Sequence, residues 1–315
     1  MYRAERGKLL VASTASPVPA HRLVSDSSAR VRRLSDAVAT ATLWVMASSI
    51  ILMLAAFITY LFYLGFHSLS WEFLTGAPSQ GAGGGIGPEI YNSFYILVLT
   101  LIFTVPISLA AGIYLQEYAR PGLFRSIVQF SAESLATVPS IVMGLFGLLI
   151  FVFYFHWGFT ALGGALTLTL LNLPALMRVT QEALASVPDS LREASVGLGA
   201  TKWQTILRTV LPSAIGRLTT GIVLIAGRIF GETAALIFTA GLSVSANQPY
   251  ELNPFRSAET LAIHLWYTHS ESIIPDVERV GNGSALVLLI MVLAFNIAAR
   301  VAGTALTKRF TGRSS

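Results

Sequence analysis

The sequence predicts an all-α integral membrane protein with six transmembrane helices, and three observations carry that expectation. Hydrophobic residues make up 54% of the 315 and charged residues only 12%, with a mean hydropathy of +0.66, which is too apolar for a soluble domain of this length. Apolar runs long enough to cross a bilayer recur along the chain, separated by polar loops. Lysine and arginine are gathered almost wholly in alternate loops. The lack of cysteine excludes disulfides, thiol catalysis and cysteine metal sites, and leaves the compartment open.

Residues 1–39 hold Arg3, Arg6, Lys8, Arg22, Arg30, Arg32 and Arg33, with Pro17, Pro19 and no sustained apolar period. They read as a disordered basic tail touching lipid headgroups. Glu5, Asp26 and Asp36 argue against a transit peptide. The membrane domain is then 40–315. Its first span is Leu43–Phe66, an uncharged run of 24 residues, too long for a signal-peptide core. The glycine-dense segment that follows, from Gly76 to Gly87, reads as a flexible loop. It lacks the G-x-x-x-x-G-K-[ST] order of a phosphate loop, which occurs nowhere in the chain.

Five further spans are expected at roughly 90–115, 134–155, 159–177, 218–242 and 281–299. Pro106, Pro139 and Pro174 fall inside three of them and allow kinks in a bundle. Leu123 to Phe130, beside Arg120 and Arg125, suggest a short interfacial helix. The tail, the second and fourth loops and the C-terminus hold 18 of the 21 basic residues. The first and third loops hold none, and the fifth has only Arg256 and Arg279. The positive-inside rule therefore puts both termini and the fourth loop in the cytoplasm. The net charge of +5 is spent on topology rather than on a patch for nucleic acid.

Within the fourth loop, Asp189–Pro212 reads as two short helices and a hinge. Ser190 with Glu193 and Thr201 with Gln204 have capping-box spacing. Gly199 between them suits a left-handed cap, and Pro212 is the expected stop. Leu191, Ala194, Ser195 and Leu198 share one face of the first helix; Trp203, Ile206, Leu207 and Val210 share one face of the second. An exposed apolar helix pair is a liability without a partner, so a helix that docks into a groove fits best.

Arg228 and Glu232 lie in the fifth span, four residues apart and hence expected on one helix face, where they can pair. Each charge at mid-helix costs about 2.5–3.5 kcal/mol on insertion scales, so an ion pathway is the leading reading and a structural pair the alternative. Thr233 and Thr239 could add hydroxyl donors, although threonines in such helices more often bond their own backbone. Arg178, at the end of the fourth span with Glu182 four residues on, belongs either to the path or to the interface by snorkelling. Glu133 is read as an acid opening the third span, where the macrodipole favours it. His156, Trp157, His264, Trp266, Tyr267 and His269 are read as interfacial belt residues, because His264 and His269 are wrongly spaced for two ligands on one helical face.

The fourth loop resembles the EAA loop of ABC importer permeases, on Glu193, Ala194, Ser195, Gly199, Leu211 and Pro212, with Ser195 in place of the usual third alanine. The stretches ATVPSIVMGLFG (136–147) and RIFGETAALIFTAG (228–241) resemble the PstA-type permease of phosphate ABC importers. That resemblance implies a type I importer bundle with cytoplasmic coupling helices in a bacterial inner membrane, carrying inorganic phosphate. It further implies a PstC-type sister permease, a pair of PstB-type ATPases that use ATP and Mg, a PstS-type binding protein, and no cofactor on this chain. The basic residues at 178 and 228, with Glu232, become candidates for the phosphate path. A proton-coupled transporter using Glu232, and a scaffold that anchors an ATPase without transporting, are the rival readings.

Overall fold

The computed structural model describes residues 26–79, 81, 83–244, 248–271 and 274–311, which are mostly helical with no strand among them. Two units are distinguished, Met1–Thr59 and Tyr60–Ser315. Helix α1, Asp26–Gly65, runs through the first unit and into the second. It begins well before the expected end of the disordered tail, so residues 26–39 are helical, while 1–25 lie outside the described residues. Propagation explains the difference: once the apolar stretch is helical, each further residue adds a hydrogen bond without a new nucleus, and Ala29, Arg30, Arg32 and Arg33 are tolerant helix formers.

In the second unit, short α2 (Trp71–Thr75) precedes the long α3 (Gly87–Ile113), which ends in a π-helical turn, Tyr114–Tyr118. Next come α4 (Leu123–Ala136), α5 (Ser140–Gly147) with a π-helical extension to Tyr154, and α6 (Ala161–Ala185). The chain continues through α7 (Asp189–Gly197), α8 (Lys202–Thr205), α9 (Leu211–Phe230), α10 (Ala234–Ile237), α11 (Leu261–Ser270) and α12 (Val277–Thr311).

Among the described residues, five helices are long and apolar enough to cross a membrane, and six if one bent pair counts as a span. That pair is α4 with α5, bent by 101°. Pro139, expected inside the third span, is instead the N-cap at the break, because proline and its predecessor disfavour helix continuation there. The fifth span runs Lys202–Phe230 rather than 218–242. Pro212 does not stop it. A π-helical turn, Ile206–Val210, widens the helix just before the proline, which then sits in the first turn of α9, where a missing N–H costs little.

The core lies where α3, α6 and α9 meet, with Ile96, Leu97, Leu168, Leu171, Ile225 and Ile229 buried together. Helices in lipid gain little from hydrophobicity against one another and associate by close packing, which small residues permit. At the α3–α6 crossing, a Cβ on Gly112 would come within 2.6 Å of the Thr180 side chain. Gly112→Leu is therefore expected to overpack the crossing and cost about 1–3 kcal/mol, read as a lower thermal midpoint in detergent, with Gly112→Ala between.

The glycine-dense loop is not loose. Gly85 packs so closely on Gly76 that a Cβ there would meet the Gly76 carbonyl oxygen at 2.6 Å. The Gly83 N–H donates to Asp276 Oδ2 at 3.1 Å, and Arg279 donates to the same oxygen at 2.6 Å. Burial alone would push the Asp276 carboxyl up, but the Gly83 N–H and the Arg279 guanidinium outweigh it and hold it below its ordinary 3.8. A depressed carboxyl stabilises the fold above its unfolded pKa, and that stabilisation fades as pH falls through the folded value. The thermal midpoint should thus decline below about pH 4, more steeply in the wild type than in Asp276→Asn.

Candidate coupling module and charged path

Helix α7 starts directly after Pro188, whose φ of −58° and ψ of 141° make it the N-cap. Ser190 is consequently inside the helix and makes no capping box with Glu193. Asp189 supplies the favourable negative charge to the helix start instead. The second box is formed as expected: Thr201 Oγ1 accepts from the Gln204 N–H and Gln204 Oε1 from the Thr201 N–H. Gly199 has φ +87° with open space around it, so the left-handed conformation, not crowding, demands glycine. The Gly199 N–H donates to the Val196 carbonyl and the Ala200 N–H to the Ser195 carbonyl, which is a Schellman cap.

The hinge holds the two helices together through a Ser195 to Thr205 hydroxyl contact of 3.0 Å. Val210 is buried with Ala183, Leu184 and Leu218, and Ile206 is also buried. The other face of the module is open. Leu191, Val196, Trp203 and Leu207 are exposed, and Leu198 is 91% exposed at the tip. Glu193 is exposed too, while Leu211 and Pro212 are half-buried in the continuous helix behind.

A clamp fixes this module to the bundle. Arg192 lies 2.9 Å from Glu117 Oε1 in the π-helical turn of α3, with side-chain exposures of only 19% and 8%. It also donates to the Val187 and Leu184 carbonyls and to Asp189 Oδ1. Lys202 Nζ donates to the Glu117 carbonyl and sits 4.8 Å above the Tyr118 ring. The ends of α3 and α6 are thereby tied to α7 by charge-assisted bonds.

Arg228 and Glu232 do not pair. Helix α9 ends at Phe230, Gly231 breaks it, and the Glu232 carboxylate turns back to accept from the Ala235 N–H at 3.4 Å, at the start of α10. The expected helical face is interrupted at Gly231, where the lack of a side chain makes helix continuation costly. Arg228, in the last turn of α9, is exposed and has no ion pair or hydrogen bond among the described residues. Thr233 Oγ1 is 3.5 Å from the Gly231 carbonyl, and Thr239 bonds its own backbone at Ala235.

Arg178 is neutralised, in contrast. Its Nε donates to Glu182 Oε1 at 3.1 Å, and its guanidinium is 3.9 Å from Glu133. Glu133 falls in the last turn of α4, not at a helix start, so its expected dipole role gives way to this pairing. These groups, with Arg125, Gln129 and Gln181, line a cleft of about 480 Å³ between α4 and α6. Arg178 is near the module end of α6, whereas Arg228 is at the remote end of α9, so the two arginines occupy different depths.

The family model described as "binding-protein-dependent transport system inner membrane component" matches residues 89–312. The chain belongs to this permease family. A probable ABC transporter permease protein of Bacillus subtilis (strain 168), YqgI, is 43% identical to the permease over 290 residues, covering 89% of this chain and 99% of its own. The phosphate transport system permease protein PstA of Yersinia pestis is 34% identical over 224 residues, covering 71% and 74%. Among solved structures, the permease superposes on a bacterial importer of the acidic polysaccharide alginate with a TM-score of 0.64 at 15% identity, covering 88% of this chain and 100% of that one. The inward-facing MetNI methionine transporter gives 0.55 at 18% identity, covering 75% and 97%. The fold is that of type I ABC importer permeases.

Permeases of this family are multi-span membrane subunits rather than catalysts. They work with a partner permease, a separate ATPase and a substrate-binding protein. His264 is not a belt residue: it is buried in α11, with Nδ1 3.0 Å from Glu259 and 4.0 Å from Glu89 at the start of α3. Glu89 and Glu259 are 170 residues apart in sequence and His264 is five beyond, so no local spacing joins them.

Proposed function

We propose that the permease carries inorganic phosphate inward as the PstA-type half of an ATP-driven importer. In this reading a PstC-type permease forms the other half, PstB-type ATPases consume ATP and Mg²⁺, and a PstS-type protein delivers phosphate. Both termini and α7 face the cytoplasm across a bacterial inner membrane. The likeness to PstA permeases supports the substrate, and Arg228 is the observation that carries the path. A cation left unpaired near the end of an apolar span, where no carboxylate answers it, is readily explained by an anion that passes it. Arg178, already paired with Glu182 and near Glu133, is the weaker candidate for the path.

Closure of the ATPases would push on the exposed α7 face, and the Arg192–Glu117 clamp would pass that motion to α3. The break at Gly231 gives α9 and α10 freedom to reorient about Arg228. Phosphate uptake into proteoliposomes holding all four kinds of subunit tests this reading: uptake should require ATP and the binding protein. Uptake driven by a proton gradient without ATP, or ATP hydrolysis with no phosphate moved, overturns it.

A further inference from the structure

Glu89, Glu259 and His264 place their ligand atoms within 4.8 Å of one another. Their exposures are 0%, 4% and 7%. Neither carboxylate oxygen of Glu89 has a hydrogen-bond partner, and His264 Nε2 has none either. With both carboxyls ionised, two carboxylates against one imidazole leave negative charge uncompensated even when the histidine is protonated. Arg256, three residues before Glu259, does not relieve this: it donates to Asn92 Oδ1 and the Glu251 carbonyl and ion-pairs with neither glutamate among the described residues. A bare buried carboxylate is costly, and proteins meet that cost with a retained proton, a partner charge or a metal.

We propose that Glu89, Glu259 and His264 bind one divalent transition ion of the Zn²⁺ or Mn²⁺ type. An ion of charge +2 balances two carboxylates, and one imidazole nitrogen with two carboxylate oxygens is a ligand set such ions accept. The backbone that carries the ligands is already laced together. Ser93 Oγ donates to the Glu89 carbonyl at 2.7 Å and accepts from the Leu261 N–H at 2.9 Å, while Asn92 Nδ2 donates to the Glu259 carbonyl at 3.0 Å. The ion staples α11 to the start of α3. Glu89 lies one long helix away from Glu117, roughly 40 Å at 1.5 Å per residue, so the staple is on the membrane face opposite the coupling module. The site does not rest on the transport reading.

The test uses the full-length, tag-free permease in nanodiscs, stripped with EDTA, equilibrated with Zn²⁺ and gel-filtered before elemental analysis. The wild type is expected to retain about one zinc per chain, and Glu89→Gln and Glu259→Gln close to none, with His269→Ala unchanged as the control for a surface histidine. Thermal midpoints give a second readout. Metal-free Glu89→Gln should melt above the metal-free wild type, because it removes a buried carboxyl that accepts no hydrogen bond, and Zn²⁺ should raise only the wild type by several degrees. Zinc retention equal in wild type and Glu89→Gln overturns the proposal. So does a wild type that holds no zinc while Glu89→Gln melts higher, the result expected of carboxyls that simply share a proton.

Discussion

Arg228→Gln should leave the transporter assembled and phosphate uptake nearly gone. At about 4 Å, a cation and an anion attract by about 4 kcal/mol at an effective dielectric of 20, and each 1.36 kcal/mol is tenfold in rate, so uptake should fall by about two to three orders of magnitude. ATPase association, read by pulldown, should be unchanged, because Arg228 ends α9 at the pole remote from α7. Arg228→Lys keeps the charge but loses the planar fork and should recover only part of the rate. The geometry adds a sharper contrast. Since the Glu232 carboxylate accepts from the Ala235 N–H instead of holding Arg228, Glu232→Gln should cost uptake far less than Arg228→Gln. Equal losses in the two variants would restore the ion pair, and uptake within twofold of wild type in Arg228→Gln would remove Arg228 from the path.

The spans were legible because each must satisfy its backbone internally in an apolar medium, which writes long uncharged runs into the sequence. Their ends were not. Helix α1 continues into polar sequence, where hydropathy is silent but helix propagation is not, and a proline such as Pro212 is punctuation only if no wider turn precedes it. The Thr201 box and the Gly199 cap were readable since both depend on residues within a few positions, whereas Ser190 failed because Pro188 had already set the helix start. Arg228 and Glu232 had the right spacing for a pair, but spacing presumes a continuous helix, and Gly231 ends it. The Glu89, Glu259 and His264 cluster was invisible to any rule of local spacing. The available signal was thermodynamic: acids at the edge of apolar segments need a partner, and Glu89 had none nearby in sequence.

The clamp between Arg192 and Glu117 carries the second large expectation, the separation of ATP hydrolysis from transport. Arg192→Met leaves the Glu117 carboxylate, 8% exposed, without its cation, and removes two bonds, to the Leu184 carbonyl in the last turn of α6 and to the Val187 carbonyl just beyond it. Breaking one side of a buried pair costs about 3–5 kcal/mol, although the exposed flank of this one puts it at the lower end. That loss falls on the seat of α7, since the core of α3, α6 and α9 does not include either residue. The apolar docking face of α7, with Leu198 at its tip, is untouched, so the ATPases should still bind and hydrolyse ATP. What should fall is phosphate moved per ATP, by about tenfold or more if the seat is the transmission, because a module no longer fixed to α3 absorbs the stroke instead of passing it on. The double variant Arg192→Met with Glu117→Leu distinguishes charge from seating. It removes the stranded carboxylate and should recover most of the thermal stability, as apolar replacements of buried pairs do. It should not recover coupling, since the bonds from Arg192 to the Val187 and Leu184 carbonyls are still absent. A single variant that keeps both its thermal midpoint and its transport-to-hydrolysis ratio would show that α7 drives the bundle by another route, the Ser195–Thr205 contact being the next to test.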